Sequence, residues 1–170
     1  KEERKIIKTQ VEEFKHYRKY FLDSDYYRYD PKDGVHIISQ VSKDKEHACV
    51  ILFYERADVG HMTDILPLSG LNKDYKYRVH SKTYYHDIRL FGGLVNQISP
   101  IHIKNGSFLH RLIAKVIKMK ERGEDQVVNG DILVSKGYEV YQSFNGTGWN
   151  DKTKLVKDME SRIYFFDKVD

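Results

Sequence analysis

Four short apolar runs, each set off by turn residues, crowd into the stretch between Val35 and Val79, and they constrain the fold more than any other feature of the chain. Val35 to Val41 and His47 to Tyr54 are rich in β-branched and aromatic residues and are separated by the charged turn Lys43-Asp44-Lys45. Ile65 to Leu68 and Tyr75 to Val79 flank Ser69-Gly70-Leu71-Asn72-Lys73, and Asp30-Pro31-Lys32-Asp33-Gly34 is a turn ahead of the series. Runs of this composition read as strands, and connections this short argue for antiparallel pairing in a sandwich or barrel. Strand signals return at Gln126 to Val128, Ile132 to Val134 and Arg162 to Phe166. Thirteen Tyr and eight Phe against three Pro favour strands in the same way.

Two segments carry helical spacing instead. Residues 3 to 22 place Ile7, Val11, Phe14 and Phe21 at three-and-four intervals, widened by Ile6 and Tyr17, with Lys8, Glu12, Lys15 and Lys19 opposite. An apolar stripe on a helix at one end of a domain must pack on something. It docks on the β domain, or it belongs against a partner. The second helix has Leu109, Leu112, Ile113, Val116 and Ile117 on one face, Ser107 as N-cap and Gly123 as its stop. The expected architecture is therefore a mainly β, antiparallel sandwich over residues 23–170, preceded by a helix over residues 1–22 and interrupted by one inserted helix.

Composition excludes more than it assigns. The formal charge of +4 is spread over interspersed Lys, Arg, Asp and Glu, which suits a solvated surface and not a nucleic-acid site. Cys49, the one cysteine, lies inside the apolar run Ala48 to Phe53, so it reads as a buried small hydrophobe. A reactive thiol needs an electropositive, partly exposed setting that such a strand does not offer. The eight histidines are scattered without the spacing of a zinc site, although His80 and His86 could meet across a turn. Asp58 to Asp64 lacks the spaced oxygen ligands of a calcium loop, and Gly92-Gly93 lacks the lysine and helix start of a phosphate loop. No metal and no cofactor is expected. No apolar stretch reaches the roughly 18 residues of a membrane span, and no signal peptide is visible, so a cytoplasmic location is expected. The chain opens at Lys1 directly into a helix, which reads as a piece of a longer protein.

Four segments in fixed order carry a resemblance. They are Glu2 to Arg18, Asp25-Tyr26-Tyr27-Arg28-Tyr29, Val41-Ser42-Lys43-Asp44-Lys45-Glu46-His47-Ala48, and Leu68-Ser69-Gly70-Leu71-Asn72-Lys73-Asp74-Tyr75-Lys76-Tyr77-Arg78-Val79. Further on, Gly130-Asp131-Ile132-Leu133-Val134-Ser135-Lys136-Gly137 and Lys157 to Phe166 add two more, with Met159 where an aromatic is usual. Together they resemble the C-terminal end of bacterial α-galactosidases of glycoside hydrolase family 36. In that family a catalytic (β/α)8 barrel runs through its last helix into an antiparallel β domain. The stretch from Phe91 to Gly123 is longer than the simplest members have.

The resemblance implies a parent enzyme that hydrolyses terminal α-galactosides, such as melibiose or raffinose, with retention and without cofactor. Its two aspartates lie in the barrel, one in a Lys-Trp-Asp context that this chain lacks. Retention needs two carboxyl groups about 5–5.5 Å apart across the sugar, and no Asp or Glu here is assignable to either role. No catalytic residue is therefore named. The resemblance makes this chain a structural accessory domain. Its implied partners are the catalytic barrel of the same polypeptide, packed on Ile7, Val11, Phe14 and Phe21, and other copies in a homo-oligomer.

A rival reading rests on the loop Phe144-Asn145-Gly146-Thr147-Gly148-Trp149-Asn150-Asp151. An indole can stack on the apolar face of a pyranose while short amide and hydroxyl groups meet its hydroxyls. Trp149, Asn145, Thr147 and Asn150 would then form a galactoside-binding site, making the chain a carbohydrate-binding module. An Asn-Gly turn with Trp149 packed at a domain edge explains the same residues. Tyr84-Tyr85 is a second aromatic candidate, explained as well by cross-strand packing.

Overall fold

The structure is a computed structural model that describes residues 2–57, 64–87, 89, 96, 102–104, 106–121, 123–140 and 156–170. Its centre is a six-stranded antiparallel sheet. The strands are β1 (Ser24–Arg28), β2 (Val35–Ser42), β3 (His47–Tyr54), β5 (Lys76–Ser81), β8 (Asp125–Asn129) and β10 (Glu160–Val169), in the order β1-β2-β3-β10-β5-β8. Two short ribbons stand apart from it. One pairs β4 (Ile65–Leu66) with β9 (Tyr138–Glu139), the other β6 (Tyr85–Asp87) with β7 (Lys118–Lys120).

Alternation along the strands divides the sheet into two faces. Ala48, Val50, Leu52 and Tyr54 of β3 join Tyr164 and Phe166 of β10 and Tyr77 and Val79 of β5 on the core side. Leu66, Leu68, Leu71, Leu133, Tyr138 and Val140 close that core from above, so the β4–β9 ribbon and the helix beside it form the second layer of the sandwich. Helix α1 (Glu2–Phe21) lies against the opposite face.

The β2–β3 hairpin shows how a charged turn fixes register. The Ser42 hydroxyl shares its one proton between Asp44 at 2.5 Å and the His47 carbonyl at 3.0 Å, and it accepts from the His47 amide. Asp44 also accepts from the Glu46 amide, and these hydrogen bonds hold its carboxyl below the usual range. Lys45 takes the left-handed conformation at φ 62° that closes the loop.

The structure corrects two expectations. Ile132 to Val134 is not a strand but the middle of a short helix, α3 (Gly130–Lys136). The Gly130 amide donates to the Tyr75 carbonyl at 2.7 Å and pins the chain against the turn before β5, so it coils in place and drops Leu133 into the core. A Cβ on Gly130 would stand 2.1 Å from the Asn72 carbonyl oxygen, and Gly137, at φ 79°, ends the helix in a conformation that favours glycine. Secondly, α2 (Phe108–Val116) does start at Ser107, whose hydroxyl accepts from the His110 amide, but it stops well before Gly123. The β-branched Ile117 turns to an extended conformation and leads into β7. Its apolar residues do share a face, yet that face is exposed, and His110 and Ala114 point inward. Asp25 to Arg28, unassigned by its local pattern, lies in an edge strand, β1, paired along β2.

Candidate functional site

The half-covered face of the sheet is the first feature a partner could use. Besides the core residues, β3 sends His47, Cys49, Ile51 and Phe53 to the side where α1 lies. A strand apolar on both faces is built to be buried on both. Here α1 covers only part. Tyr17 stacks on Phe165 with ring centroids 4.1 Å apart, Tyr20 lies over His47 at 3.8 Å, and Glu13 pairs with Lys82. A cleft of ≈ 320 Å³ remains between helix and sheet, walled by Phe14, Phe21, Ile51, Ile163 and Cys49. Burial pushes the Cys49 thiol up to about 12, which leaves it unreactive at neutral pH.

Beside the cleft, Asp167 joins two imidazoles. Its Oδ1 lies 2.7 Å from His47 Nδ1 and its Oδ2 2.7 Å from His80 Nε2. Phe165 stacks on His80 at 5.2 Å, so hydrogen bonds and ring contacts form a continuous path from Tyr17 to Tyr20. Burial pushes the Asp167 carboxyl up, but the hydrogen bonds and charges of His80 and His47 outweigh it and hold it low.

The core side holds a second ionic group. Arg162, only 2% exposed, donates through Nη1 to both oxygens of Glu121 at 2.8 Å, and its guanidinium lies 4.0 Å from the Tyr84 ring centre. Glu121 Oε2 also meets His86 Nε2 at 2.6 Å. Burial pushes the Glu121 carboxyl up, yet His86 and Arg162 together hold it below its usual range. The Tyr54 hydroxyl donates to Asp64 at 2.5 Å, and that of Tyr138 donates to Glu124. Burial and the adjacent carboxylate push both phenols up. A carboxylate committed to such donors is poorly placed to attack an anomeric carbon or to deliver a proton. These groups are clamps: Glu121 ties the chain after β7 to β10, and Asp167 ties β10 to β3 and β5.

The clamps set a pH dependence. Glu121 and Asp167 have folded values below their unfolded ones, so their stabilisation is fully present above the unfolded range of about pH 4 and is lost as pH falls through the folded values. Thermal melting in steps from about pH 6 to about pH 2 should show a steep loss of Tm below about pH 4. A melting temperature unchanged down to that acidic limit would contradict this assignment.

The sequence-derived site residues fare unequally. Trp149, Asn145, Thr147 and Asn150 lie outside the described residues, as does most of the stretch from Phe91 to His102. Phe21 is half-buried against the sheet, whereas Ile7, Val11 and Phe14 are exposed, Phe14 by 64%. His80 and His86 are each hydrogen-bonded to a different carboxylate, His80 to Asp167 and His86 to Glu121. Sequence patterns do not single out Arg162, Glu121 and Asp167 as a set. One signal was present: the period of two along β10 puts Arg162 on the face of Tyr164 and Phe166, where an arginine must be paired.

The segments that carry the family resemblance converge in space. Tyr29 accepts from the Ser69 amide at 3.1 Å. The Tyr77 hydroxyl donates to the Lys45 carbonyl at 2.7 Å and accepts from the Asn72 amide at 3.0 Å. Tyr20 of the helix rests on His47 of the hairpin. The motif residues thus hold turns and layers together.

The family model for the glycosyl hydrolase family 36 C-terminal domain matches residues 36–166. No curated protein sequence matches the chain. Among solved structures, the α-galactosidase from Lactobacillus brevis is similar at 17% identity and a TM-score of 0.58, over 97% of this chain and 16% of that one. The GH36 α-galactosidase AgaB from Geobacillus stearothermophilus is similar at 18% identity and a TM-score of 0.59, over 99% of this chain and 16% of that one. AgaA from the same organism, solved in complex with raffinose, gives 17% identity and the same TM-score and coverage. This chain thus spans only 16% of the length of each of these proteins.

Proposed function

The chain belongs to the glycosyl hydrolase family 36 C-terminal domain family, and from that premise we propose that it serves as the non-catalytic C-terminal domain of an α-galactosidase, covering apolar surface of a catalytic barrel. The reaction, hydrolysis of terminal α-galactosides such as melibiose and raffinose with retention, belongs on this reading to barrel residues outside the chain. One observation carries the proposal: a two-sided apolar sheet is covered on its second face by a single helix that itself presents an exposed apolar stripe. Ile7 is 57% exposed and Phe14 64%, with Val11 between them, while Ile51 and Ile163 line the open cleft alongside. The small length share of the similar structures supports it, because a surface for another domain is then expected.

The three stripe residues expose roughly 300 Å², which at about 25 cal/mol per Å² corresponds to ~7 kcal/mol gross on covering. Association costs a comparable amount in lost freedom, so weak self-association of the chain alone is expected. Sedimentation velocity at tens of micromolar should show mass rising with concentration. Replacing Ile7, Val11 and Phe14 together with glutamine should reduce that association at least tenfold while the circular dichroism of the sheet persists. A wild-type chain that stays monomeric at about 100 μM would overturn the reading.

A further inference from the structure

We propose a second contact surface, separate from the α1 face: helix α2 of one copy docks into the acidic cleft at the start of β2 of another copy. The outward side of α2 carries Phe108, 78% exposed, and Val116, 82% exposed, with Leu109 and Leu112 between them. Arg111 and Lys115 flank this strip, and the helix Phe108–Val116 contains no carboxylate. An apolar strip with a wholly basic edge fits a hollow with apolar walls and an acidic rim.

The chain carries such a hollow. A cleft of ≈ 210 Å³ is walled by Val35, Ile37 and Ile65 and rimmed by Asp30, Asp33 and Asp64, with Lys32 as its cation. Asp64 is held by the Tyr54 hydroxyl, so it contributes field at the floor, while Asp30 and Asp33 stand at the exposed edge. The cleft is smaller than the roughly 300 Å³ at which small-molecule sites begin, and it suits one aromatic side chain such as Phe108. Pairing α2 with α2 across a twofold axis would instead set Arg111 and Lys115 against their own copies, which is repulsive. The favoured contact therefore joins two different surfaces. Such head-to-tail contacts propagate unless their rotation closes a ring. One short helix set against one small cleft makes a contact at the low end for specific association, so it is weak and salt-sensitive.

Sedimentation velocity tests it on the full chain carrying the Ile7, Val11 and Phe14 glutamine replacements, which silences the other face. Lys115→Asp and Asp30→Lys should each weaken the remaining association at least tenfold, and combining them should restore it. Phe108→Ser, which keeps every charge, should weaken it as well. Raising salt to about 0.5 M should reduce it. Single reversals that leave the association unchanged, or a double variant no better than the singles, would overturn the contact. So would the absence of any association once the α1 stripe is removed, an outcome that leaves the proposed function standing.

Discussion

Truncating Arg162 to alanine is expected to destabilise the domain by about 3–5 kcal/mol, because it strands a buried carboxylate. Glu121 sits in a pocket where the guanidinium supplies two of its hydrogen bonds and most of the compensating charge. Without Arg162 the carboxylate keeps only His86, and burial, which already pushes its carboxyl up, then dominates. The contact of the guanidinium over the Tyr84 ring is lost too. Urea unfolding should show the midpoint falling with the slope unchanged. The control is the joint replacement Arg162→Met with Glu121→Gln, which removes both charges and should recover more than half of the loss. If the single truncation cost less than about 1 kcal/mol, the ion pair would count as a surface pair.

The change Gly130→Ala should be comparably severe for a steric reason. The added methyl would sit 2.1 Å from the Asn72 carbonyl oxygen and 2.9 Å from that of Tyr75, and both are backbone atoms that cannot rotate away. The turn before β5 and the start of α3 must then separate, which breaks the Gly130-to-Tyr75 hydrogen bond and lifts Leu133 from the core. A loss of about 3 kcal/mol or more is expected, in the range of severe core lesions. Amide exchange would locate it, with protection falling first in α3 and β5. An alanine variant as stable as wild type would mean that the approach of these segments is looser than the geometry indicates.

Much of this fold was legible because its strands announce themselves locally. His47 to Tyr54 has a turn at each end and no residue that resists a strand, and β3 has those bounds. The segment around Ile132 misled because its apolar triplet is strand-like in composition. Its conformation is set by a backbone contact to Tyr75, and no local pattern encodes that. The start of helix α2 at Ser107 is legible, because a cap is a local matter, but its other end is not. There the pairing of β7 with β6 decides. The clamps were the least legible part. Asp167 reads as one more surface acid until the register sets it between His47 and His80, which are distant in sequence.

The strand order carries a consequence for how the chain acquires its structure. β10 is wedged between β3 and β5, with Ile163 opposite Ile51 and Phe166 opposite both Ala48 and Val79. Until residues 160–169 have been synthesised, β3 and β5 each present an unpaired apolar edge, the kind of surface that recruits foreign strands. Closing the sheet joins positions far apart along the chain, which is slow. A chain truncated before Glu160 should therefore be aggregation-prone, which its yield of soluble protein would check.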